Sequence, residues 1–212
     1  MKNITINNNA QNLTEIIKKG GVVLMQVDTI YGLICDGLNN EAVSKIEQIK
    51  QRTKPAFGFF VKNIQIAKKY AIMSNLQQQC FESVFPGYFT LIFKATELAK
   101  QSLPIRALGR QNDYFTIGIR VPKSQFCLKI LKHFDTPLVA TSANISGQKT
   151  ASCFEDIDAN IIKSVDAIYY DTTTPIAGAS STIIDTTNQN IFKIIRQGSG
   201  DVNVLKDLVK FE

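Results

Sequence analysis

Apolar residues occur along this chain in two patterns, and each pattern predicts one kind of element. Val43, Ile46 and Ile49 share one helix face, and the asparagines just before them can cap that helix. Short apolar runs such as VVLM and FGFF are typical of buried strands. On these patterns the predicted helices cover residues 12–21, 39–52, 63–71, 75–85, 123–134, 154–165 and 201–211.

The strands predicted between these helices do not alternate with them regularly, and several follow one another late in the chain. This arrangement predicts an α/β protein with a mixed parallel and antiparallel sheet flanked by helices. The predicted strands lie within residues 22–26, 28–38, 57–61, 85–95, 114–122, 137–144, 167–171, 180–185 and 191–196.

The overall composition fits a globular protein of one domain. The chain has 212 residues, of which 44% are hydrophobic and 20% charged. We therefore expect a single domain over residues 1–212, with a core from about 12 to 198 and a short closing helix over 201–211.

The apolar runs are too short for a membrane span, and the first residues lack the apolar core of a signal peptide. A cytoplasmic protein without a membrane partner is the simplest expectation.

The cysteines and the single histidine give little support for metal or nucleophile chemistry. Cys35, Cys80, Cys127 and Cys153 form no CxxC pair, so a zinc site is not expected. Cys127 falls on the apolar face of a predicted helix, whereas His133 lies off that face and is expected in solvent. Any reaction must then proceed without a histidine acid or base.

Cations and hydroxyls stand at the ends of several predicted elements. Lys50 and Arg52 end a helix, where they either complement its dipole or clamp a phosphate. Arg120 ends an apolar strand and needs a carboxylate partner, from the protein or from a ligand. The stretch TSANISG (141–147) follows a strand and suits either a turn or a ligand contact. The segment 172–180 is either a linker or a ligand loop.

The order of these motifs is more specific than any one of them. KQR, PGYFT, RVP, TSANISG, SSTIID and IRQG occur here in the order in which the YrdC-like family carries them. This family comprises the threonylcarbamoyl-AMP synthases of tRNA modification. The resemblance runs from about Val22 to Gly198, which is nearly the whole chain.

The resemblance implies a fold and a reaction. The fold would be YrdC-like (DHBP-synthase-like), with a concave and positively charged face. The enzyme, a nucleotidyltransferase, would combine L-threonine, bicarbonate and ATP into L-threonylcarbamoyl-AMP and release pyrophosphate. Proteins of a threonylcarbamoyl-transferase complex would then pass the group to adenosine 37 of tRNA. Mg²⁺ would be held mainly through the phosphates of ATP, with no metal site on the protein and no covalent nucleophile.

The resemblance also implies roles for individual residues. Lys50 and Arg52 would stabilise the charge that builds on the phosphate during the reaction. Positions for threonine would be Thr29, Arg120 and Ser181, with Arg120 facing the carboxylate. Positions for ATP would be Lys50, Arg52, Thr116, Ser142, Asn144, Thr150 and Arg196.

Two departures from the family pattern keep other functions open. Gln26 and Val27 replace the usual Pro-Thr pair, and residues 55–63 lack a histidine that many members carry, although Lys62 is close by. These changes, with the net charge of +6, are also compatible with a non-catalytic paralogue that binds tRNA or double-stranded RNA. A third possibility is carbamoyl transfer to an acceptor other than threonine.

Overall fold

The computed structural model describes residues 5–51, 56–151, 153–171, 173–188 and 190–212. No helix in these ranges combines the length and the apolar character that a bilayer span requires. The α-helices found there are α1 (Ala10–Lys18), α2 (Asn40–Ile49), α3 (Ile64–Tyr70), α4 (Asn75–Val84), α5 (Glu97–Ser102), α6 (Gln125–Leu131) and α7 (Ala159–Ser164).

Thirteen strands in the described ranges form one sheet. They are β1 (Thr5–Ile6), β2 (Val23–Gln26), β3 (Tyr31–Asp36), β4 (Gly58–Phe60), β5 (Ala71–Ile72), β6 (Phe89–Ala95), β7 (Gly109–Gln111), β8 (Tyr114–Arg120), β9 (Leu138–Ser142), β10 (Ala167–Tyr169), β11 (Thr182–Asp185), β12 (Ile191–Arg196) and β13 (Lys210–Phe211).

The strand order confirms the predicted mixed sheet. It runs β1-β10-β2-β3-β9-β4-β8-β6-β11-β12-β13, with β5 and β7 paired at its border to β6 and β8. Pairs such as β10 with β2 and β4 with β8 are parallel, whereas β3 pairs antiparallel with both β2 and β9. The centre of the sheet is therefore built from strands that are distant in sequence.

The helices cover the two faces of the sheet unequally. Along β3, Leu33 and Cys35 point to one face and join a large core cluster that includes α2, α3 and α4. Ile34 points to the other face, where a smaller cluster contains residues of α1 and α6. This smaller cluster extends as far as Leu138 of β9 and Phe60 of β4, and the part of the face that it leaves uncovered lines a cavity.

Local sequence features set the helix starts. The Asn39 side chain accepts a hydrogen bond from the Ala42 backbone N–H, which confirms the predicted cap of α2. Ser74 and Gln77 form a reciprocal capping box on α4. His133 is exposed after α6, as expected, while Cys127 is buried on the apolar face of that helix.

Two predicted helices are wrong in extent or kind. Residues 154–165 form a 3-10 turn (Phe154–Asp156) followed by α7, which Asp158 caps. The closing helix predicted over 201–211 is a 3-10 turn (Val202–Leu205) followed by β13. Leu205 and Val209 have helical spacing, and both are buried against the core. The backbone of the following residues pairs with β12 and does not form helical hydrogen bonds. The short elements β1, β5, β7 and α5 were not predicted.

Candidate functional site

The uncovered part of the sheet forms the floor of a cavity of about 280 Å³. Ala140, Gly58 and Gly118 lie side by side in register on three neighbouring strands, and all three line the cavity. Because these residues carry at most a methyl group, a ligand can approach the backbone of the sheet closely. A Cβ added at Gly118 would meet the Thr90 Cγ2 at 3.3 Å, so any larger side chain there would compete with a ligand.

Arg120 lies at one side of the cavity and is 4% exposed. Its guanidinium donates to the Asp28 carboxylate at 2.8 Å, to the Thr29 hydroxyl at 2.9 Å and to the Gly87 carbonyl at 3.1 Å. Asp28 also accepts from the Lys123 backbone N–H at 2.8 Å. Burial lowers the pKa of Arg120, and the Asp28 charge opposes that shift. Arg120 therefore has the carboxylate partner that its position required, and the protein supplies it.

The burial of this pair determines what a substitution of Arg120 would do. Loss of the side chain would leave Asp28 buried without its partner, which is strongly destabilising in proteins. Substitution of Arg120 by alanine is therefore expected to affect folding as well as any ligand.

Arg196 lines the same cavity at its exposed edge, across the sheet from Arg120. Its guanidinium donates to the Ser181 carbonyl at 2.8 Å, and the Ser181 hydroxyl shares a 2.8 Å hydrogen bond with Thr90. Partial burial of the guanidinium lowers the pKa of Arg196, and the charge on Arg120 adds to this. In the described part of the chain Arg196 has no acidic partner, so the cavity has a positive charge that the protein does not balance.

Lys50 has a different position from the one expected of a surface cation. It ends α2 but is 2% exposed, and its ammonium donates to the Ser142 carbonyl at 2.5 Å and the Asn144 carbonyl at 2.8 Å. The Ser142 hydroxyl in turn donates to the Asn144 side chain. Lys50 therefore holds the loop that follows β9 in place.

The structure brings most of the predicted site residues together. Thr29, Thr116, Arg120, Ser142, Ser181 and Arg196 all line the cavity. Lys50 and Asn144 contact Ser142 from behind the lining, and Thr150 is half-buried but does not line the cavity. Arg52 lies outside the described residues. Lys62 does not line the cavity and pairs instead with Asp135 on the surface, at 2.6 Å.

Sequence reasoning gave no role to three polar residues that line the cavity. They are Thr90, Thr141 and Ser180. Thr90 and Thr141 stand inside the motifs PGYFT and TSANISG, and Ser180 begins SSTIID, so the motifs contained the signal for them. In the segment DTIYGL (28–33), Thr29 and Tyr31 offer a hydroxyl and an aromatic face, and both line the cavity.

The cavity lining contains no cysteine or histidine among the described residues. Burial raises the pKa of the Cys80 thiol to about 11 and that of the Cys127 thiol to about 12. Both thiols are thus protonated near neutral pH and lie away from the cavity. The described ranges also hold no cluster of three or more His, Cys, Asp or Glu side chains that could bind a metal.

The candidate site is thus a cavity on a mixed α/β sheet, lined by two arginines and a row of hydroxyls. The Sua5/YciO/YrdC family model, described as "Telomere recombination", matches residues 15–198. The chain belongs to that family.

Relatives with curated names differ in length. The threonylcarbamoyl-AMP synthase of Mus musculus is 30% identical over 86% of this chain and 64% of its own length. A Methanocaldococcus jannaschii protein provisionally named as the same synthase is 32% identical over 74% of this chain and 70% of its own length. YciO of Escherichia coli K12 is 29% identical over 89% of this chain and 88% of its own length.

Solved structures agree with this fold. The crystal structure of E. coli YciO has a TM-score of 0.79 and 27% identity, covering 94% of this chain and 95% of YciO. The structure of P. abyssi Sua5 complexed with L-threonine has a TM-score of 0.82 and 21% identity. It covers 99% of this chain but only 62% of Sua5, so this chain spans less than two thirds of that protein.

Proposed function

We propose that this protein is an L-threonylcarbamoyl-AMP synthase, which forms threonylcarbamoyl-AMP and pyrophosphate from L-threonine, bicarbonate and ATP. The observation that carries the proposal is the cavity with Arg120 and Arg196, for which the described residues supply Asp28 as the single acidic partner. A site with excess positive charge is suited to an amino-acid carboxylate and a nucleotide phosphate. The synthase names of the mouse and archaeal relatives support the same reaction.

Two parts of the cavity would hold the two substrates. Arg120, Thr29 and Ser181 would bind threonine, with the carboxylate beside the Arg120 guanidinium. Arg196, Thr116 and the Ser142–Asn144 loop would bind ATP, with Arg52 and Thr150 as further proposed contacts. Lys50, through its hydrogen bonds to the Ser142 and Asn144 carbonyls, would keep that loop in place.

The reaction needs no covalent bond to the protein. The threonine amine would add to carbon dioxide derived from bicarbonate, giving a carbamate and releasing a proton. A carbamate oxygen would then attack the α-phosphorus of ATP, and the bond to pyrophosphate would break. The cavity would contribute by holding the two anions close together and by stabilising charge on the phosphate. Mg²⁺ would be held mainly by the phosphates of ATP.

Pyrophosphate release tests this proposal directly. Purified protein is incubated with ATP and bicarbonate, with and without L-threonine, and pyrophosphate is measured. We expect release only when threonine is present, and we expect threonylcarbamoyl-AMP by mass spectrometry. Release that does not depend on threonine, or no release at all, would contradict the proposal.

A pair of variants on β12 tests the part assigned to Arg196. Arg196→Ala should weaken ATP binding measured by calorimetry about tenfold or more, because a charge-assisted contact contributes about 1.5–3 kcal/mol. Lys193→Ala is the matched control, since Lys193 is exposed on the same strand, lies outside the cavity lining and pairs only loosely with Glu212 at 3.5 Å. Equal ATP affinity in both variants would exclude Arg196 from the nucleotide site.

The alternative function is RNA binding without synthesis, and one observation favours it. Two exposed lysines lie over aromatic rings, Lys94 over Tyr114 at 4.6 Å and Lys123 over Tyr88 at 5.7 Å. Cations interleaved with aromatic rings can contact phosphates and stack on bases. Salt-sensitive binding of tRNA or double-stranded RNA, without ATP affinity, would identify this function. A cytoplasmic location and partner proteins for transfer to tRNA stay predictions.

A further inference from the structure

The loop that leads into β11 reaches the cavity although most of it is exposed. We name residues 173–180 the rim loop; its last residue, Ser180, lines the cavity together with Ser181. Residues 173–175 and 177–179 are exposed, whereas Ile176 is half-buried and packs against the core. The exposed residues of the loop must be held mainly by hydrogen bonds.

Gln26 supplies the first attachment of the rim loop to the sheet. Its side-chain amide donates to the Thr174 carbonyl at 2.7 Å and accepts from the Asp171 backbone N–H at 2.7 Å. Gln26 ends β2 and is 5% exposed, so its side chain is held firmly. The nitrogen and the oxygen of the Gln26 side-chain amide thus both connect the beginning of the loop to the sheet.

The turn that Gln26 holds has its own internal bonds. The Asp171 carboxylate accepts from the Thr173 backbone N–H and from the hydroxyls of Thr173 and Thr174. The turn can therefore keep its shape without Gln26. What Gln26 adds is the attachment of this turn to the end of β2.

The next attachments lead directly to Arg120. The backbone N–H groups of Ala177 and Gly178 donate to the carbonyls of Asp28 and Thr29, each at 3.0 Å. Asp28 and Thr29 are also the residues whose side chains bind the Arg120 guanidinium. One short segment of chain, residues 26–29, therefore holds both the rim loop and Arg120.

We propose that Gln26 is a positioning residue, which fixes the rim loop on the 26–29 segment and thereby sets Ser181 and Arg196 opposite Arg120. The inference rests on the proposed function in that these two arginines are taken to hold the two substrates. Ser199 holds the far end of the loop, through its hydroxyl to the Ala179 carbonyl and its N–H to the Ser180 carbonyl. Loss of Gln26 should therefore loosen the site without destroying it.

The chain offers a close control for a Gln26 variant. Gln77 is also a buried glutamine, 4% exposed, whose amide joins two backbone groups. It donates to the Thr186 carbonyl at 2.6 Å and accepts from the Ser74 N–H at 2.7 Å, but it does not line or border the cavity. Gln26→Leu and Gln77→Leu thus remove the same kind of contact at different places.

The experiment combines steady-state kinetics with hydrogen exchange on the full chain. For Gln26→Leu we expect the KM for threonine and for ATP to rise about tenfold, with kcat changed less than threefold, because the site becomes misplaced rather than chemically altered. The Ala177 and Gly178 amides should exchange faster than in the wild type. For Gln77→Leu we expect a lower Tm, unchanged KM values and unchanged exchange at 177 and 178.

The inference is overturned if Gln26→Leu raises the KM values no more than Gln77→Leu does, or if the two amides stay protected. Gln26→Glu provides a second variant should the leucine variant not fold: it keeps the shape but sets a carboxylate oxygen against the Thr174 carbonyl, and the same increases are expected. If the wild type releases no pyrophosphate, the proposed function fails. Amide exchange and ATP titration of the variants then still decide for or against Gln26.

Discussion

The buried ammonium of Lys50 gives a prediction whose size can be worked from its contacts. In Lys50→Met the apolar part of the side chain is kept, but the Ser142 and Asn144 carbonyls lose a donor. A buried acceptor left unpaired costs about 1–3 kcal/mol. The Ser142 carbonyl still accepts from the Asn144 backbone N–H at 3.0 Å, so the cost falls on the Asn144 carbonyl. Methionine also avoids the cost of burying a charge, so we expect a loss below the upper end of this range, about 2 kcal/mol.

Urea unfolding followed by circular dichroism measures this loss as a lower free energy of unfolding. In thermal unfolding, a loss of about 2 kcal/mol corresponds to a fall in Tm of roughly 4–8 °C for a chain of this size. Lys100→Met is the control, because Lys100 pairs with Glu97 on the surface and such pairs contribute about 0–1 kcal/mol. If Lys50→Met were as stable as Lys100→Met, the Lys50 ammonium would not brace the loop after β9, and the argument from its burial would be wrong.

Three further predictions concern the ion pair, the cavity floor and the thiols. Arg120→Ala should lower the free energy of unfolding by about 3–5 kcal/mol, since Asp28 stays buried without its cationic partner; unchanged urea unfolding would contradict this. Gly118→Val should weaken ATP binding about tenfold and lower the free energy of unfolding by about 1–3 kcal/mol, because its Cβ would meet Thr90 at 3.3 Å; equal affinity by calorimetry would place the ligand elsewhere. The pKa values of Cys80 and Cys127 are raised to about 11 and about 12 in the folded state. Their contribution to stability is therefore complete below the ordinary thiol pKa of about 8.5 and is lost as the pH rises through 11 and 12, so Tm should fall above pH 9. A flat Tm between pH 8 and 11 would argue against their burial.

The candidate site could be predicted from the sequence only in part. Arg120, Arg196 and the TSANISG stretch stood out because cations and hydroxyls at strand ends need partners that a strand itself does not supply. The identity of those partners was not predictable. Asp28 and Arg120 are 92 residues apart in sequence, and Lys50 meets Asn144 across 94 residues. Pairs at such separation leave no periodic pattern along the chain.

The sequence by itself determined the central helices and strands, since hydrophobic spacing and capping residues act over a few neighbours. It also indicated the mixed sheet, through strands that follow one another without helices between them. Tertiary structure alone decided the strand order and hence the row of Ala140, Gly58 and Gly118 under the cavity. It likewise turned the residues after Asp201 into a 3-10 turn and a strand, because an open edge on β12 was there to pair with. Local preference is weak compared with the burial and backbone pairing that become available only when distant segments meet.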